Sequence, residues 1–264
     1  MHVIKKAIKR SLVYQLLQDL KVKKALSQWS LQDQRMFQFY SRFISTDDIC
    51  FDIGANVGNR TKVFLRLGAW VVAVEPQQRC INLLKQAFGD HPRLQLVQRA
   101  LGEADGQAEL LISEANTIST LSAEWIEAVK NSGRFSEYSW DKKQVVQLTT
   151  MDSLIAEYGV PAFIKIDVEG FEFQVIRGLS RSVRVLSLEF TPEFMDAALQ
   201  CIEHLQRLGN IRMNYSIEEN MSLELDEWVS PEECIRVLSK LGRDNKIFGD
   251  LYVRFEAPPG RPKA

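Results

Sequence analysis

The chain has 264 residues, which is enough to bury the core of one large α/β domain. Its composition is that of an ordinary globular protein, with 45% hydrophobic residues, 25% charged residues and a net charge of -1. This balance argues against nucleic acid as a partner, because phosphate binding normally requires an excess of basic residues on one face.

Residues 1–44 form a basic segment with nine lysines or arginines and two acids. Apolar residues recur in it with the spacing of an amphipathic helix, at Ile4, Ile8, Leu12 and Leu16, then at Leu17 and Leu20. One interpretation is a helix that packs this stripe on the domain and leaves its lysines in water. The other is a peripheral contact with an anionic membrane or an acidic carrier. We assign residues 1–46 to an N-terminal helical arm.

The segment lacks the features of a signal peptide and of a membrane-spanning helix, since no uninterrupted apolar run is long enough and no small-residue cleavage site follows. The cysteines are far apart and form no CxxC pair: Cys50, Cys80, Cys201 and Cys234. This pattern predicts free thiols in a reducing compartment. We therefore expect a cytoplasmic protein.

After the arm, apolar runs of strand length alternate with helix-length segments, which predicts βα units and a mostly parallel sheet. Strands are predicted at residues 49–53, 70–75, 94–100, 163–167 and 183–190, and helices at 60–66, 78–88, 171–179 and 192–208. The C-terminal part is expected to add strands at 213–217 and 249–255, a hairpin through Glu219 and Asn220, and a helix at 231–241. The domain then spans residues 47–256, and a disordered tail follows at 257–264.

A long segment, residues 106–159, interrupts this alternation and predicts a lid or wall that contacts the substrate. It holds a polar run that either binds a ligand, such as a sugar or a cofactor, or caps a helix: Asn116, Thr117, Ser119 and Thr120. It also holds four aromatic residues that either stack on a sugar ring or pack the segment together: Trp125, Phe135, Tyr138 and Trp140.

Acids and glycines follow the first two predicted strands, at the edge where open parallel sheets bind ligands. The first strand ends in FDIGANVGN, where Asp52 precedes Gly54 and Gly58, and the second ends in VVAVEP at Glu75. The glycines allow the backbone to approach a ligand closely, and Glu75 can accept both hydroxyls of a ribose. The spacing DxGxxxG differs from the GxGxxG of dinucleotide sites. Asp52 would repel a pyrophosphate but attract the cationic S-adenosylmethionine.

The stretch KIDVEGFE, which begins at Lys165, ends the fourth strand. Lys165 and Asp167 lie two residues apart, hence on one face of the strand. Because a lysine in a central strand is costly unless paired, either Asp167 neutralises it or it reaches the cleft. We expect Glu169 to join this cluster and Gly170 to leave room for a ligand. Glu189, at the end of the next strand, is either a further member or an ordinary exposed acid.

The sequence resembles the FkbM family of S-adenosylmethionine-dependent methyltransferases over about residues 47–255. The similar pieces are FDIGANVGN, VVAVEP, RALG, STL, KIDVEGFE and VLSLEF. The resemblance implies a class I, Rossmann-like methyltransferase fold, with a seven-stranded, mostly parallel sheet and helices on both faces. It also implies methylation of a hydroxyl on a small-molecule or glycan acceptor, such as a sugar or a natural product. The basic arm is not part of the family pattern.

We expect these residues to bind the cofactor: Asp52, Gly54, Ala55, Asn56, Gly58, Glu75, Pro76, Ala100, Leu101 and Asp167. We expect Lys165, Asp167 and Glu169 to be catalytic. The acceptor is expected to contact Ser119, Thr120, Gly170 and Glu189.

Methyl transfer to a hydroxyl requires a base. The histidines, His2, His91 and His204, lie away from the predicted strand ends. We therefore expect the base to be a carboxylate, or Lys165 with a lowered pKa. Asp167 and Glu169 would also suit a divalent cation, but the sequence shows no third oxygen ligand, so no metal is predicted.

Two other functions remain open. One is a non-catalytic module that binds S-adenosylmethionine and uses the basic arm as its working surface. The other, a nicotinamide-dependent oxidoreductase, is disfavoured because the chain has no GxGxxG.

Overall fold

The computed structural model describes residues 12–241 and 247–256. The strands of its main sheet are β1 Ile49–Ile53, β2 Trp70–Val74, β3 Leu94–Val97, β7 Phe163–Ile166, β8 Val185–Phe190, β9 Ile211–Ile217 and β10 Gly249–Phe255. Their spatial order is β3-β2-β1-β7-β8-β10-β9. Strand β10 runs antiparallel to both of its neighbours, whereas the remaining pairs are parallel. The structure confirms the predicted seven-stranded, mostly parallel sheet.

Helices cover both faces of this sheet. They are α1 Leu12–Ser27, α2 Leu31–Tyr40, α3 Asn59–Arg66, α4 Gln78–Phe88, α5 Ala123–Ser132, α6 Met151–Tyr158, α7 Glu172–Arg177, α8 Met195–Leu208 and α9 Pro231–Leu241. Alternate strand residues point to opposite faces, so Phe51 and Ile53 pack under α6 to α9 while Cys50 packs under α2 to α4. Across residues 12–241 and 247–256, no helix combines the length and apolar character needed to cross a membrane.

Helix α2 is part of the domain core, although the sequence assigns it to the arm. Its residues Met36, Phe39 and Tyr40 are buried against the sheet. A capping box starts the helix: the Ser30 hydroxyl accepts a bond from the Asp33 amide, and the Asp33 carboxylate accepts one from the Ser30 amide. The domain therefore begins earlier than residue 47.

Helix α1 does not bury the stripe that the sequence predicts. Leu16, Leu17 and Leu20 are 61%, 52% and 52% exposed. Packing of these three leucines on the domain is therefore the wrong interpretation. Ile4 and Ile8 lie outside the described residues.

A second, three-stranded sheet has the order β4-β6-β5 and consists of β4 Ala100–Leu101, β5 Gly106–Ile112 and β6 Lys142–Thr149. The single strand predicted at residues 94–100 is wrong, because the chain leaves the main sheet after Val97 and Ala100 pairs with Leu148. Helix α6, in the predicted segment 106–159, packs on the main sheet.

The chain turns back after β9 near Glu219 and Asn220, as predicted for a hairpin. The returning segment is not a strand. Its backbone–backbone bonds to β9 are one from the Glu224 amide to the Tyr215 carbonyl and an isolated bridge between Val229 and Met213. Strand β10, not this segment, completes the pairing of β9.

Gly54 allows the chain to leave β1 beside β7. Its φ is 79°, and a Cβ at this position would lie 1.8 Å from the carbonyl oxygen of Asp167. The strand order reverses here, since β1 is bordered by β2 on one side and β7 on the other. Open α/β sheets bind their ligands at such a reversal, so Gly54 shapes the edge at which a site is expected.

We expect Gly54→Ala to destabilise the domain more than Gly133→Ala. Both glycines have a positive φ, but a Cβ at Gly133 meets nothing within 4 Å. The control should therefore lose about 1 to 2 kcal/mol from backbone strain alone. At Gly54 the added contact with Asp167 requires the strands to separate, and we expect a loss of at least about 3 kcal/mol. Urea unfolding followed by circular dichroism measures both values, and equal losses would contradict the close approach.

Candidate functional site

A cavity of about 270 Å³ lies at the carboxyl ends of β1, β2, β7 and β8. Predicted site residues that line it are Asp52, Gly54, Ala55, Asn56, Glu75, Pro76, Ala100, Leu101, Ser119, Thr120, Asp167, Glu169 and Glu189. These residues are distant in sequence but meet because parallel strands end at one edge of the sheet. The volume is near the lower end of the range of about 300 to 1,000 Å³ for small-molecule sites.

Gly58, Lys165 and Gly170 do not line this cavity. Gly58 precedes α3 and faces Leu84, so it serves helix packing. Gly170 was expected to leave room for a ligand, but a Cβ there would lie 2.3 Å from the ring of Trp125. That expectation is wrong, since the space beside Gly170 is filled by Trp125.

Glu75 is buried at the cofactor end predicted from the sequence. Its two carboxylate oxygens accept hydrogen bonds from the amides of Asn56, at 2.9 Å, and Gln77, at 2.7 Å. Burial raises the pKa of Glu75 to about 7 despite these bonds. Each carboxylate oxygen has a second lone pair, so Glu75 can still accept hydroxyl groups from a ligand.

Asp52 lies on the floor of the cavity, in register with Lys165 on β7. The Thr61 hydroxyl donates to its carboxylate at 2.5 Å. Burial raises the pKa of Asp52, and the bond from Thr61 opposes that rise. The first glycine-rich turn therefore presents a fixed, buried acid to the cleft.

Lys165 is 1% exposed, and its ammonium group is held between two carboxylates. It lies 2.8 Å from Oδ1 of Asp250 and 3.2 Å from Oδ2 of Asp167. Burial works to lower the pKa of Lys165, but Asp167 and Asp250 outweigh it and raise the pKa well above its ordinary value. The expected lowered pKa is wrong, and Lys165 stays charged. It is therefore a partner of Asp167 and not a base.

Asp167, Glu169 and Glu189 bring three carboxylates together at the ends of β7 and β8. Their nearest oxygens all lie within 4.8 Å of one another. Burial and the neighbouring carboxylates raise the pKa values of Glu169 and Glu189 well above normal. Glu189 is thus a member of the cluster. Its carboxylate is the third oxygen donor that a divalent cation at this position could use, and the sequence did not reveal it.

The loop that carries the cluster is held from two sides. Glu172 accepts hydrogen bonds from the amides of Val168, at 3.1 Å, and Gly170, at 3.3 Å. The Thr120 hydroxyl donates to the carbonyl oxygen of Glu169 at 2.6 Å. These bonds stabilise a backbone in which Glu169 has a φ of 54°, an uncommon value for a residue with a side chain.

Residues 113–122 serve both as scaffold and as cleft wall. A helix start follows the polar run, but its cap is Ser122 and none of the four predicted residues: the Ser122 hydroxyl accepts a bond from the Trp125 amide. Ser119 donates to the Gln77 side chain at 3.2 Å, while Ser119, Thr120 and Thr117 line the cavity. The wall is therefore polar and anchored to the main domain.

The aromatic residues of this segment pack together. Trp125 is 1% exposed, and its ring centroid lies 5.9 Å from that of Phe135 and 6.3 Å from that of Trp140. Tyr138 lies 6.1 Å from Phe135. Packing, not stacking on a ligand, accounts for Trp125.

Sequence reasoning missed Arg60, Glu219 and Asp250. Arg60 lines the cavity, contacts the Tyr40 hydroxyl at 3.0 Å and pairs with Glu219 at 2.7 Å. Glu219 lies in the predicted turn, and no local pattern links it to the cleft. Asp250 could have been found from the sequence, because an acid inside the apolar run of β10 indicates a buried cation as its partner.

A second cavity of about 540 Å³ adjoins the first and shares Asn56, Gln77 and Thr117 with it. Gln18 and Val22 of α1 form part of its wall. Helix α1 is fixed there by an ion pair between Asp19 and Arg79 at 2.7 Å.

A family model described as the Methyltransferase FkbM domain matches residues 52–232. The chain belongs to the FkbM methyltransferase family. Because this family transfers methyl groups from S-adenosylmethionine, the domain is an S-adenosylmethionine-dependent methyltransferase. A comparison with curated proteins gave no match.

Solved structures similar to the FkbM domain include two methyltransferases. The precorrin-6Y C5,15-methyltransferase of Geobacter metallireducens shares 11% identity, covers 83% of this chain and 87% of its own, and has a TM-score of 0.43. The TehB-like SAM-dependent methyltransferase of Corynebacterium glutamicum shares 9% identity, with 83% and 87% coverage and a TM-score of 0.44. Both TM-scores are low, so the fold assignment rests on the strand order and the family on the sequence match.

Breaking the buried ion pair of the FkbM domain should cost far more than breaking an exposed one. We expect Lys165→Met to lose about 3 to 5 kcal/mol of unfolding free energy, because the buried carboxylate of Asp250 and the partly exposed carboxylate of Asp167 lose their cation. The double variant with Asp250→Asn should lose less than the sum of the single variants. The matched control is Lys143→Met, which breaks the exposed pair with Glu109 and should cost about 1 kcal/mol or less. Urea unfolding measures all four, and additive losses would contradict the pairing.

The stability of the FkbM domain should depend on pH through Glu75. The pKa of Glu75 is about 7 in the folded protein and about 4.5 when unperturbed. Between these values the folded state binds more protons than the unfolded state, so stability falls as pH rises. The fall ends near pH 7 and amounts to something on the order of 3 kcal/mol. The difference in unfolding free energy between the wild type and Glu75→Gln isolates this group, and a difference that stays constant from pH 4.5 to 7 would refute the assignment.

Proposed function

We propose that this FkbM methyltransferase methylates a hydroxyl of a sugar, glycan or natural-product acceptor. The observation that carries the proposal is the convergence of Asp167, Glu169 and Glu189 within 4.8 Å at the cleft. Methyl transfer to oxygen requires a group that takes the hydroxyl proton, and carboxylates are such groups. The hydroxyls of Thr117, Ser119 and Thr120 along the facing wall suit a polar acceptor.

The cofactor end is proposed to lie along the tips of β1 and β2. When bound, S-adenosylmethionine supplies an electrophilic methyl group. Glu75 has lone pairs left for ribose hydroxyls, and Ala100 and Leu101 offer an apolar surface that suits a purine ring. Asp52, buried on the floor, favours a cationic ligand, while Gly54 keeps the backbone close and free of side chains.

The acceptor end is proposed to lie over the carboxylate cluster. Lys165 fixes Asp167 from below, so Asp167 can orient the acceptor hydroxyl toward the methyl group. Burial and neighbouring carboxylates raise the pKa values of Glu169 and Glu189. Once ionised, these two residues are therefore stronger proton acceptors than ordinary carboxylates. The proton of the acceptor hydroxyl thus passes to this cluster.

The cluster also weighs against the two alternatives. A module that only binds S-adenosylmethionine has no need for three crowded carboxylates that must be held against their mutual repulsion. A nicotinamide-dependent oxidoreductase is not supported, since the sequence match is to a methyltransferase family.

We expect Asp167→Asn, Glu169→Gln and Glu189→Gln each to reduce turnover by about 100-fold or more. The affinity of Glu169→Gln and Glu189→Gln for S-adenosylmethionine should stay within about tenfold of the wild type, because these two residues are proposed to contact the acceptor and not the cofactor. Calorimetry gives the affinity, and mass spectrometry of methylated products from a panel of glycans and natural products gives turnover. The matched control is Glu109→Gln, an exposed acid outside the cleft, which should change neither.

Chelation distinguishes proton transfer to the cluster from metal assistance by it. If the carboxylates act as the base, excess EDTA leaves the turnover of the wild type unchanged. Loss of turnover that added Mg²⁺ restores would instead assign the three acids to a metal ion. Tight binding of NAD without binding of S-adenosylmethionine would overturn the proposed function altogether.

A further inference from the structure

Helix α1 attaches one side to the domain and exposes the other. Successive residues of a helix turn by about 100°, so Leu16, Leu17, Leu20, Lys21 and Lys24 share one side. All five are exposed. We call these five residues the outer face of α1.

The opposite side of α1 is attached to the domain. Leu26 is buried, Gln18 and Val22 line the second cavity, and Asp19 pairs with Arg79. The helix is therefore held in place by one side, and its outer face is left with three leucines and two lysines in water. An apolar stripe of this kind flanked by cations is the composition of helices that lie in a membrane interface.

The acids of this part of the chain do not neutralise the outer face. Asp19 and Asp33 are the two acids among residues 1–44, and both are used in ion pairs with the domain, with Arg79 and with Lys62, each at 2.7 Å. The sequence that precedes α1 adds Lys5, Lys6, Lys9 and Arg10 and no acid. The exposed lysines of the outer face, Lys21 and Lys24, are therefore not offset by an acid of residues 1–44.

We propose that the outer face of α1 binds the surface of an anionic lipid bilayer. An anionic bilayer is favoured over a second copy of the chain, because two outer faces brought together would place lysine against lysine. The leucines enter the interface and the lysines contact anionic headgroups. The rest of the chain is net acidic, since the whole carries a net charge of -1 despite the basic segment. The repulsion of that acidic body from the bilayer turns the basic side toward it.

Vesicle sedimentation of the full chain tests this proposal. We expect binding to vesicles of phosphatidylcholine mixed with phosphatidylglycerol, and much weaker binding to phosphatidylcholine alone. The triple variant Leu16→Gln, Leu17→Gln, Leu20→Gln should bind at least about tenfold more weakly, because its apolar contact is lost. The matched control changes two exposed apolar residues elsewhere, Val145→Gln and Val160→Gln, which are 66% and 59% exposed, and should bind like the wild type.

A second variant tests the electrostatic part. Lys21→Gln with Lys24→Gln should also weaken binding, and high salt should release the wild type, because salt screens the attraction to the headgroups. Calorimetry with S-adenosylmethionine shows that each variant is folded, since no outer-face residue lines the cleft.

Two results would overturn the proposal. One is equal vesicle binding by the wild type and the leucine variant, or no binding by either. The other is a dimer of the wild type in sedimentation velocity that the leucine variant does not form, which would make the outer face an interface between copies. These outcomes are independent of the acceptor, so they stand apart from a failure of the proposed hydroxyl methylation.

Discussion

A lysine ammonium group in the middle of a parallel sheet is stable only where anionic partners reach it, and here Asp167 and Asp250 reach Lys165 from two different strands. Removing a charge from water is costly, and attraction to well-placed carboxylates offsets that cost. The neutralised ammonium group links β7 to β10, which is the last strand of the sheet along the sequence. It also fixes the side chain of Asp167 where β7 ends, so the position of the proposed reacting edge depends on a contact outside the cleft.

The charges around the cleft have a consistent arrangement. Carboxylates point into it from both ends, Glu75 and Asp52 at one and Asp167, Glu169 and Glu189 at the other. The cations Arg60 and Arg99 also line it, but the acids outnumber them, and Glu219, which lines the cleft too, binds the guanidinium group of Arg60. Such a cleft favours cationic ligands and disfavours phosphates, which agrees with a sulfonium cofactor and with the absence of a dinucleotide fingerprint from the sequence.

Much of the fold could be predicted, because burial on both faces leaves a strong pattern in parallel strands. Residues 49–53 and 78–88 have the predicted bounds, since an apolar run and an amphipathic repeat define them locally. The split of residues 94–101 between two sheets was missed, because both parts have strand-like sequences and only the pairing of Ala100 with Leu148 separates them.

The site could be predicted in outline but not in its contacts. The acids at the strand ends could be assigned to the site, because the topology of a parallel sheet brings those positions to one edge. The role of Gly170 depended on where Trp125 packs, and the charge of Lys165 depended on a carboxylate contributed by a strand at the other end of the sequence. Both are set by tertiary packing, to which no local pattern corresponds. The exposure of Leu16, Leu17 and Leu20 could not be predicted for the same reason, since an amphipathic repeat does not show whether another part of the protein packs against it.

The place of β10 has a consequence for how the protein is made. This strand comes last in the described chain, yet it lies inside the sheet between β8 and β9, and its Asp250 follows Lys165 by 85 positions. During synthesis on the ribosome, β8 and β9 therefore emerge without the strand that joins them, and the ammonium group has only Asp167 beside it. A nascent chain cannot close this sheet until β10 has been translated, so products that terminate before β10 leave strand edges of β8 and β9 unpaired, and these edges are exposed to chaperones and proteases.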